Sequence, residues 1–207
     1  MIELVDNLIQ LTAVLSGFAV SGVCYLKSRR QPYFLLCCFY GCFGSALLYW
    51  LLYTVLVART PSVFYVSDIG WISSFLFLLL LQYSLTGTEE RTSRSRLPWL
   101  ALLIEIPLTV YYISLGDVLY NLIVGAQMTV ILWLAIRGIV WGRKRSERDR
   151  VAFCGVTAGF ILLENGLWIS GYPWKGDTLA NPYFWFDLAV TAALLVLLPA
   201  VRRVVRA

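Results

Sequence analysis

Long apolar runs separated by short polar breaks dominate this chain of 207 residues. A helix that crosses a bilayer needs about 20 predominantly apolar residues, because each residue advances it by about 1.5 Å. Seven runs meet this requirement, so the pattern predicts an all-α polytopic membrane protein with one transmembrane domain over residues 1–207. The predicted helices cover roughly residues 7–26, 33–57, 66–86, 98–115, 117–141, 151–171 and 183–203.

The basic residues give these helices an orientation. Of the 17 Lys and Arg residues, 15 fall on one side of the predicted topology, and only Arg59 and Lys175 fall on the other. Because cytoplasmic loops carry the excess of Lys and Arg, the N-terminus is predicted to lie outside and the C-terminus in the cytoplasm. The same rule accounts for the net charge of +5 without nucleic acid as a partner. We expect the chain to lie in the lipid bilayer of a bacterial cytoplasmic membrane.

Composition narrows the function classes. With 59% hydrophobic and 14% charged residues, the chain has no stretch long enough for a soluble domain. There is no histidine, so the commonest metal ligand and the usual proton shuttle at neutral pH are both missing. The five cysteines lie in apolar runs without zinc-like spacing, and no HExxH, Walker or GxSxG motif is present. We therefore expect no cofactor, no metal centre and no enzyme, although a mechanism that uses two acids stays open.

The order of the predicted helices contains a weak internal repeat. The first three and the last three helices run in the same sequence of directions, and the fourth is left over as a linker. Gly44 and Gly159 are each followed by leucines at matching spacing, and each triplet then has an outer-loop proline, Pro61 or Pro182. A 3+1+3 arrangement of this kind relates the two triplets by an axis along the membrane normal. Close helix contacts are expected where small residues lie four apart, as at Gly17/Ser21, Gly41/Ser45 and Gly155/Gly159.

This topology resembles that of PQ-loop sugar transporters, of nicotinamide-riboside-type vitamin transporters, of opsins and of the seven-helix sensory modules of some bacterial kinases and cyclases. The resemblance covers the whole chain, but it is one of topology only. Gln31-Pro32 has the reverse order of a PQ motif, and the last predicted helix contains no lysine for a retinal Schiff base. No family is assigned, since similarity at the level of fold does not give function.

Acidic residues inside the predicted helices are the candidate functional groups, because ionisable side chains in a membrane are costly and usually functional. Glu164 lies about 10 Å below the outer end of the sixth predicted helix, at about 1.5 Å per residue. Asn165 follows it, and Trp168 lies one turn above on the same face. The alternative is a neutral carboxyl group that is hydrogen-bonded to a neighbouring helix.

Asp187 lies about one turn inside the seventh predicted helix. Asn181 and Pro182 precede it and are expected to form the N-cap and the first helical position. Tyr183 and Thr191 lie four residues before and after Asp187, so the three side chains share one stripe. The alternative is an acid that the helix dipole favours near an N-terminus.

Two further acids lie at outer helix ends. Asp68 begins the third predicted helix, and Trp71 and Phe75 place aromatic rings on its face. Asp117 follows a short turn and begins the fifth, with Asn121 further along the same stripe. Helix capping is the alternative for both acids and is the expectation for Asp117.

Glu105 stands apart in this scheme. It lies in the fourth predicted helix, about 10 Å from the inner face, and precedes Pro107. A proline inside a helix removes one backbone hydrogen bond and favours a kink. Glu105 is therefore predicted either to belong to an inner gate or to bond to backbone groups freed at the kink, away from the outer acids.

Asp68, Glu164 and Asp187 are thus predicted to occupy the outer half of the membrane, where no Lys or Arg lies at the same depth. Carboxylates without such a partner must be protonated, bonded by polar side chains, or paired with a bound proton, metal ion or organic cation. Aromatic residues nearby favour an organic cation, although an interfacial aromatic belt also accounts for them. The predicted ligand-binding residues are Glu164, Asp187, Asp68, Asn165, Trp168, Trp71, Thr191 and Asn121.

The leading hypothesis is a small transporter or binding protein for a cationic or polar solute, with proton coupling as an option. The first alternative is a membrane sensor or accessory subunit that acts through a membrane protein partner or as a homo-oligomer. An intramembrane enzyme that modifies lipid is the third hypothesis.

Overall fold

The computed structural model describes residues 2–57, 65–171, 173–174, 176 and 178–206, and over these residues it contains helices and no strand. Seven of the helices are long and apolar enough to cross a membrane, which confirms the predicted all-α membrane architecture. Arg59, Pro61 and Lys175, which entered the orientation and repeat arguments, lie outside the described residues. We keep the terms outer and inner for the two ends as the Lys and Arg distribution defines them.

The helices follow the predicted runs, with one addition. They are α1 (Ile2–Ser28), α2 (Gln31–Val57), α3 (Tyr65–Ser84), α4 (Thr88–Thr92), α5 (Leu100–Leu115), α6 (Val118–Arg145), α7 (Arg148–Gly171) and α8 (Pro182–Arg206), with a 3-10 turn at Leu97–Trp99 before α5. The short α4 was not predicted, so the fourth to seventh predicted helices are α5 to α8. Several helices run past the predicted bounds, since hydropathy reports the apolar core of a helix and not its polar ends.

Six of the long helices form a ring, and α5 packs on its outside. Helices α1, α2 and α3 pack against one another in chain order, as do α6, α7 and α8. The two triplets meet at the α3–α6 and α1–α8 contacts, while α5 packs mainly on α6. This is the neighbour pattern that a 3+1+3 arrangement predicts, with α5 as the linking helix.

Small residues allow close helix approach at some of the predicted positions but not at all of them. A Cβ atom on Gly17 would lie 2.7 Å from an aromatic ring of α2, and one on Gly41 would lie 3.1 Å from a ring of α1. The prediction for Gly155 and Gly159 is wrong, because a Cβ atom on either would meet nothing within 4 Å. Hydropathy alone does not show which face of α7 is packed, and these two glycines lie on the open one.

The interior of the helix ring is filled by four phenylalanines, which we call the aromatic plug: Phe39, Phe43, Phe75 and Phe160. They come from α2, α3 and α7, and each is no more than 3% exposed. Phe160 lies at the centre, with ring centroids 5.9 Å from Phe39 and 6.2 Å from both Phe43 and Phe75. These buried rings occupy the interior of the bundle between its outer and inner ends.

The inner end carries a buried ion pair that the sequence did not predict. Arg150 at the start of α7 donates to both carboxylate oxygens of Glu90 in α4, each at 2.9 Å, and to Thr86 Oγ1 at 3.0 Å. The two charged side chains are 5% and 1% exposed. Arg150, which the topology argument counted as a loop cation, therefore fixes α4 against the bundle.

Candidate functional site

A cavity of about 510 Å³ lies in the outer part of the bundle, above the aromatic plug. All seven long helices contribute side chains to its wall. Phe43 and Phe75 of the plug line its base, and it reaches the outer ends of α5 and α7 at Gly116 and Gly171. Its size is within the range of cavities that hold small organic molecules.

Six of the eight predicted ligand-binding residues line this cavity: Asp68, Trp71, Asn121, Glu164, Trp168 and Asp187. The acids of α3, α7 and α8, which we grouped by their predicted depth in the membrane, thus face the same cavity. Asn165 and Thr191 are not among the lining residues. Asn165 faces α5 instead, where its side chain donates to Glu105, and Thr191 is buried, with 3% of its surface exposed.

Glu105 does not stand apart from the outer group as we expected. Its side chain is 1% exposed and accepts a hydrogen bond of 2.9 Å from Asn165 Nδ2, the residue next to Glu164. A space of about 10 Å³ beside it is shared with Asn121 and Trp168, which also line the main cavity. Distance from a helix end does not identify the neighbour that a side chain meets, and here that neighbour is Asn165. The gate role of Glu105 stays a prediction.

Four carboxyl groups, on Asp68, Asp117, Glu164 and Asp187, line the main cavity. None of its described lining residues is Lys or Arg. Glu164 is 4% exposed, and Trp168, which also lines the cavity, lies one turn further along α7. Negative groups gathered on one concave wall produce a field that concentrates cations there.

The capping explanation does not account for the two acids at the outer helix ends. Asp117 occupies the N-cap position of α6, but its side chain makes no capping hydrogen bond and its backbone is left-handed, with φ 46°. Asp68 is the fourth residue of α3 and lies inside the first turn, not at the N-cap. Both carboxyl groups face the cavity instead.

Asp187 belongs to a buried cluster with α1 that the sequence analysis missed. Gln10 Nε2 donates a hydrogen bond to Asp187 Oδ1, and Asp6 lies one turn before Gln10 on α1, where it is also buried. The three side chains are 3%, 9% and 3% exposed for Gln10, Asp6 and Asp187. Asp6 was placed before the first predicted helix and so was not considered. The four-residue spacing of Asp6 and Gln10, which puts both on one helix face, was the available signal.

Aromatic rings form much of the remaining wall. The Trp168 ring stacks on Tyr120 at 5.6 Å with an interplanar angle of 7°, and meets Tyr112 edge-on at 5.8 Å. Trp71 packs edge-on against Phe43 at 5.0 Å. The Tyr120 hydroxyl is buried and has no hydrogen-bond partner among the described residues. Ring faces next to carboxylates are the combination that binds organic cations.

The loop before α8 fixes the position of Asp187. Asn181 Oδ1 accepts a hydrogen bond of 3.0 Å from the Tyr183 backbone amide, which confirms the predicted N-cap. Asn181 Nδ2 also donates to the Gly176 carbonyl oxygen at 3.0 Å. The start of α8 is thereby tied to its loop, and Asp187 enters the cavity wall about one turn further along.

Over the residues that the structure describes, no three His, Cys, Asp or Glu side chains are grouped so that they could hold a metal ion. The cavity acids are instead distributed around the wall, with aromatic rings between them. Comparison with known protein families, with curated proteins and with solved structures finds no match for this chain.

Proposed function

We propose that this membrane protein binds a small organic cation in its outer cavity and acts as a transporter or binding protein for it. The observation that carries the proposal is a cavity lined by four carboxyl groups, with no Lys or Arg among its described lining residues. The tryptophan and tyrosine rings supply the faces that cover an alkylammonium or similar group. We place the protein in a bacterial cytoplasmic membrane as part of the same proposal.

A cation is favoured over a neutral polar solute by the energy of the site. A unit charge about 4 Å from one carboxylate, at an effective dielectric constant of about 20, is attracted by about 4 kcal/mol. A neutral solute of the same shape gains no such attraction from the carboxyl groups that line the cavity. The charge of the ligand is therefore the property that the site selects.

The arrangement below the cavity supports access from the outer side. The aromatic plug lies under the cavity, and the Glu90–Arg150 ion pair holds the inner end together. A transporter with these parts would release its solute inward only after α2, α3 and α7 move apart at the plug. A binding protein, sensor or accessory subunit would need no such movement.

The binding proposal is tested on the purified protein with a series of cations: tetramethylammonium, tetraethylammonium, tetrabutylammonium, choline and tetraphenylphosphonium. We expect at least one to bind in calorimetry, while 3,3-dimethylbutanol, the neutral analogue of choline, does not. Glu164→Gln should weaken binding by about 10- to 1,000-fold, since up to about 4 kcal/mol is removed. Glu89→Gln, at an inner-end residue whose side chain is 70% exposed, is the matched control and should bind normally.

Two results would remove the proposal. One is that no cation of the series binds to the wild-type protein. The other is that Glu164→Gln and Asp187→Asn both bind as the wild type does, because the carboxyl groups would then have no part in recognition. Transport is separated from binding by uptake of the best ligand into proteoliposomes, where a sensor or accessory subunit would bind without accumulation.

A further inference from the structure

The inner end of the bundle carries a purely basic surface where α1, α2 and α8 meet. Acids in the described parts of these three helices lie only towards the outer end, and α2 contains no charged residue. The turn between α1 and α2 and the last two turns of α8 supply six basic residues, which we call the basic corner: Lys27, Arg29, Arg30, Arg202, Arg203 and Arg206.

The other half of the inner end, from α4 to the start of α7, contains both signs of charge. Its acids pair with its own basic residues, as in Glu89–Arg145 and Glu90–Arg150. The rule that orients the helices counts Lys and Arg and gives little weight to acids. Topology therefore accounts for the basic residues of the corner, but it does not account for the exclusion of acids from it.

Contacts between the helices hold the corner together. The Arg30 guanidinium donates a hydrogen bond to the carbonyl oxygen of Val205, in the last turn of α8. The Arg29 guanidinium lies 5.8 Å from the centroid of the Tyr25 ring. Five of the six basic side chains are exposed and the sixth is partly exposed, and among the described residues none of them has an acidic ion-pair partner. Their charges are therefore available to an anionic group from outside the protein.

The backbone adds to the positive charge at this place. Arg29 has a left-handed backbone with φ 54°, and its amide donates to the Tyr25 carbonyl oxygen at 2.7 Å, which closes the end of α1. Glycine is the usual residue at such a helix end. Helix α2 begins two residues later, with no acid in its first turn. An arginine is thus kept next to the N-terminus of a long helix, where the helix dipole also attracts anions.

Apolar side chains border the basic corner on its membrane side. Leu26 directly precedes the corner and is 63% exposed, and Phe34, in the first turn of α2, is 45% exposed. The Phe34 ring contacts the Tyr25 ring, with centroids 5.3 Å apart. A soluble anion would contact only the basic groups, whereas a phospholipid has a charged headgroup and acyl chains that match both parts of this surface.

We propose that the basic corner binds the headgroup of an anionic phospholipid of the inner leaflet, with the acyl chains along Leu26 and Phe34. Guanidinium groups form charge-assisted hydrogen bonds with phosphate oxygens, and each basic residue near the membrane surface adds to the attraction. The corner lies at the opposite end of the bundle from the outer cavity, so this inference does not depend on the proposed cation binding.

The experiment is native mass spectrometry of the purified chain in detergent, with equal amounts of phosphatidylglycerol and phosphatidylcholine that have the same acyl chains. We expect the wild type to retain phosphatidylglycerol over phosphatidylcholine by about tenfold or more. The triple variant Arg202→Gln/Arg203→Gln/Arg206→Gln should reduce this preference to about twofold or less. The matched control removes the same charge from exposed side chains of the other half and should keep the wild-type preference: Arg94→Gln/Arg96→Gln/Lys144→Gln.

Equal retention of the two lipids by the wild type would overturn the inference. An equal loss of preference in the two triple variants would also overturn it, because the attraction would then belong to the inner end as a whole. Excess glycerol phosphate separates a lipid from a soluble anion: retention that persists supports the inference, and displacement of the lipid overturns it.

A measurement on the wild type decides the matter if the α8 variant does not fold. Photoreactive phosphatidylglycerol is cross-linked to the protein, and the labelled peptides are identified. Labelling at Leu26 or Phe34 supports the inference, and labelling confined to α4–α7 overturns it.

Discussion

We expect the largest loss of stability from a substitution in the buried Glu90–Arg150 ion pair at the inner end. Glu90→Gln removes the negative charge that faces Arg150 but keeps the size of the side chain. The Arg150 guanidinium, 5% exposed, then lies next to a neutral amide, with both of its charge-assisted bonds to Glu90 weakened. Breaking one partner of a buried pair costs about 3–5 kcal/mol, because the remaining charge is left buried without compensation.

The neighbouring residue provides the control. Glu89, next to Glu90 in α4, pairs with Arg145 at 3.2 Å, but these side chains are 70% and 62% exposed. Exposed pairs of this kind contribute about 0–1 kcal/mol. For a chain of this length, 1 kcal/mol corresponds to about 2–4 °C in Tm. We therefore expect Glu90→Gln to lower Tm by about 6–20 °C, and Glu89→Gln by no more than about 4 °C.

The assay is thermal unfolding in detergent, followed by the fluorescence of the eight tryptophans. The double variant Glu90→Leu/Arg150→Met should be more stable than either single change, because no unpaired charge remains buried. The reasoning would be refuted if Glu90→Gln and Glu89→Gln unfolded within about 2 °C of each other. Burial of the pair would then have no energetic consequence.

Three further predictions concern packing, capping and the cavity wall. In Gly70→Ala the new Cβ atom would lie 2.8 Å from Ala46 Cβ in α2, so we expect the free energy of unfolding to fall by about 1 kcal/mol or more. In Gly159→Ala the new Cβ atom meets nothing within 4 Å, so this variant should be neutral or slightly stabilising in the same unfolding assay. Asn181→Ala removes the bond to the Tyr183 amide and should cost about 1 kcal/mol, and an unchanged Tm would show that the cap contributes nothing. Trp168→Leu should weaken cation binding about 2- to 30-fold in calorimetry while the fold is kept, and unchanged affinity would exclude the ring from the site.

The number of spanning helices and their directions could be predicted from the sequence because two independent patterns agree. Apolar runs long enough to span a bilayer set the number of helices, and the asymmetry of Lys and Arg set their directions. Depth followed from position along each helix, and this was enough to bring Asp68, Glu164 and Asp187 into one group. The structure adds that one cavity joins them.

Helix rotation and helix ends could not be predicted in the same way. Asn165 was grouped with Glu164 by adjacency, but successive residues point about 100° apart on a helix, and Asn165 faces Glu105 on α5. Asp6 was missed because Glu3 and Asp6 interrupt the apolar run near the N-terminus and the predicted helix began at residue 7, while α1 begins at Ile2. Arg150 was counted with loop cations because its partner Glu90 lies on a short helix in a polar segment.

The central claim is that the outer cavity is open to the outside and attracts cations. It is tested most directly by the reaction rates of a cysteine introduced at Leu167, a cavity-lining residue, after replacement of the five free native cysteines. A cationic trimethylammonium methanethiosulfonate and an anionic sulfonate reagent are applied from outside, with Ala180→Cys, at an exposed position in the outer loop, as the reference. We expect the ratio of cationic to anionic rates at Leu167→Cys to exceed the reference ratio by about tenfold or more, and to fall when Glu164→Gln is added. Equal ratios at the two positions, or no reaction at Leu167→Cys, would contradict the account.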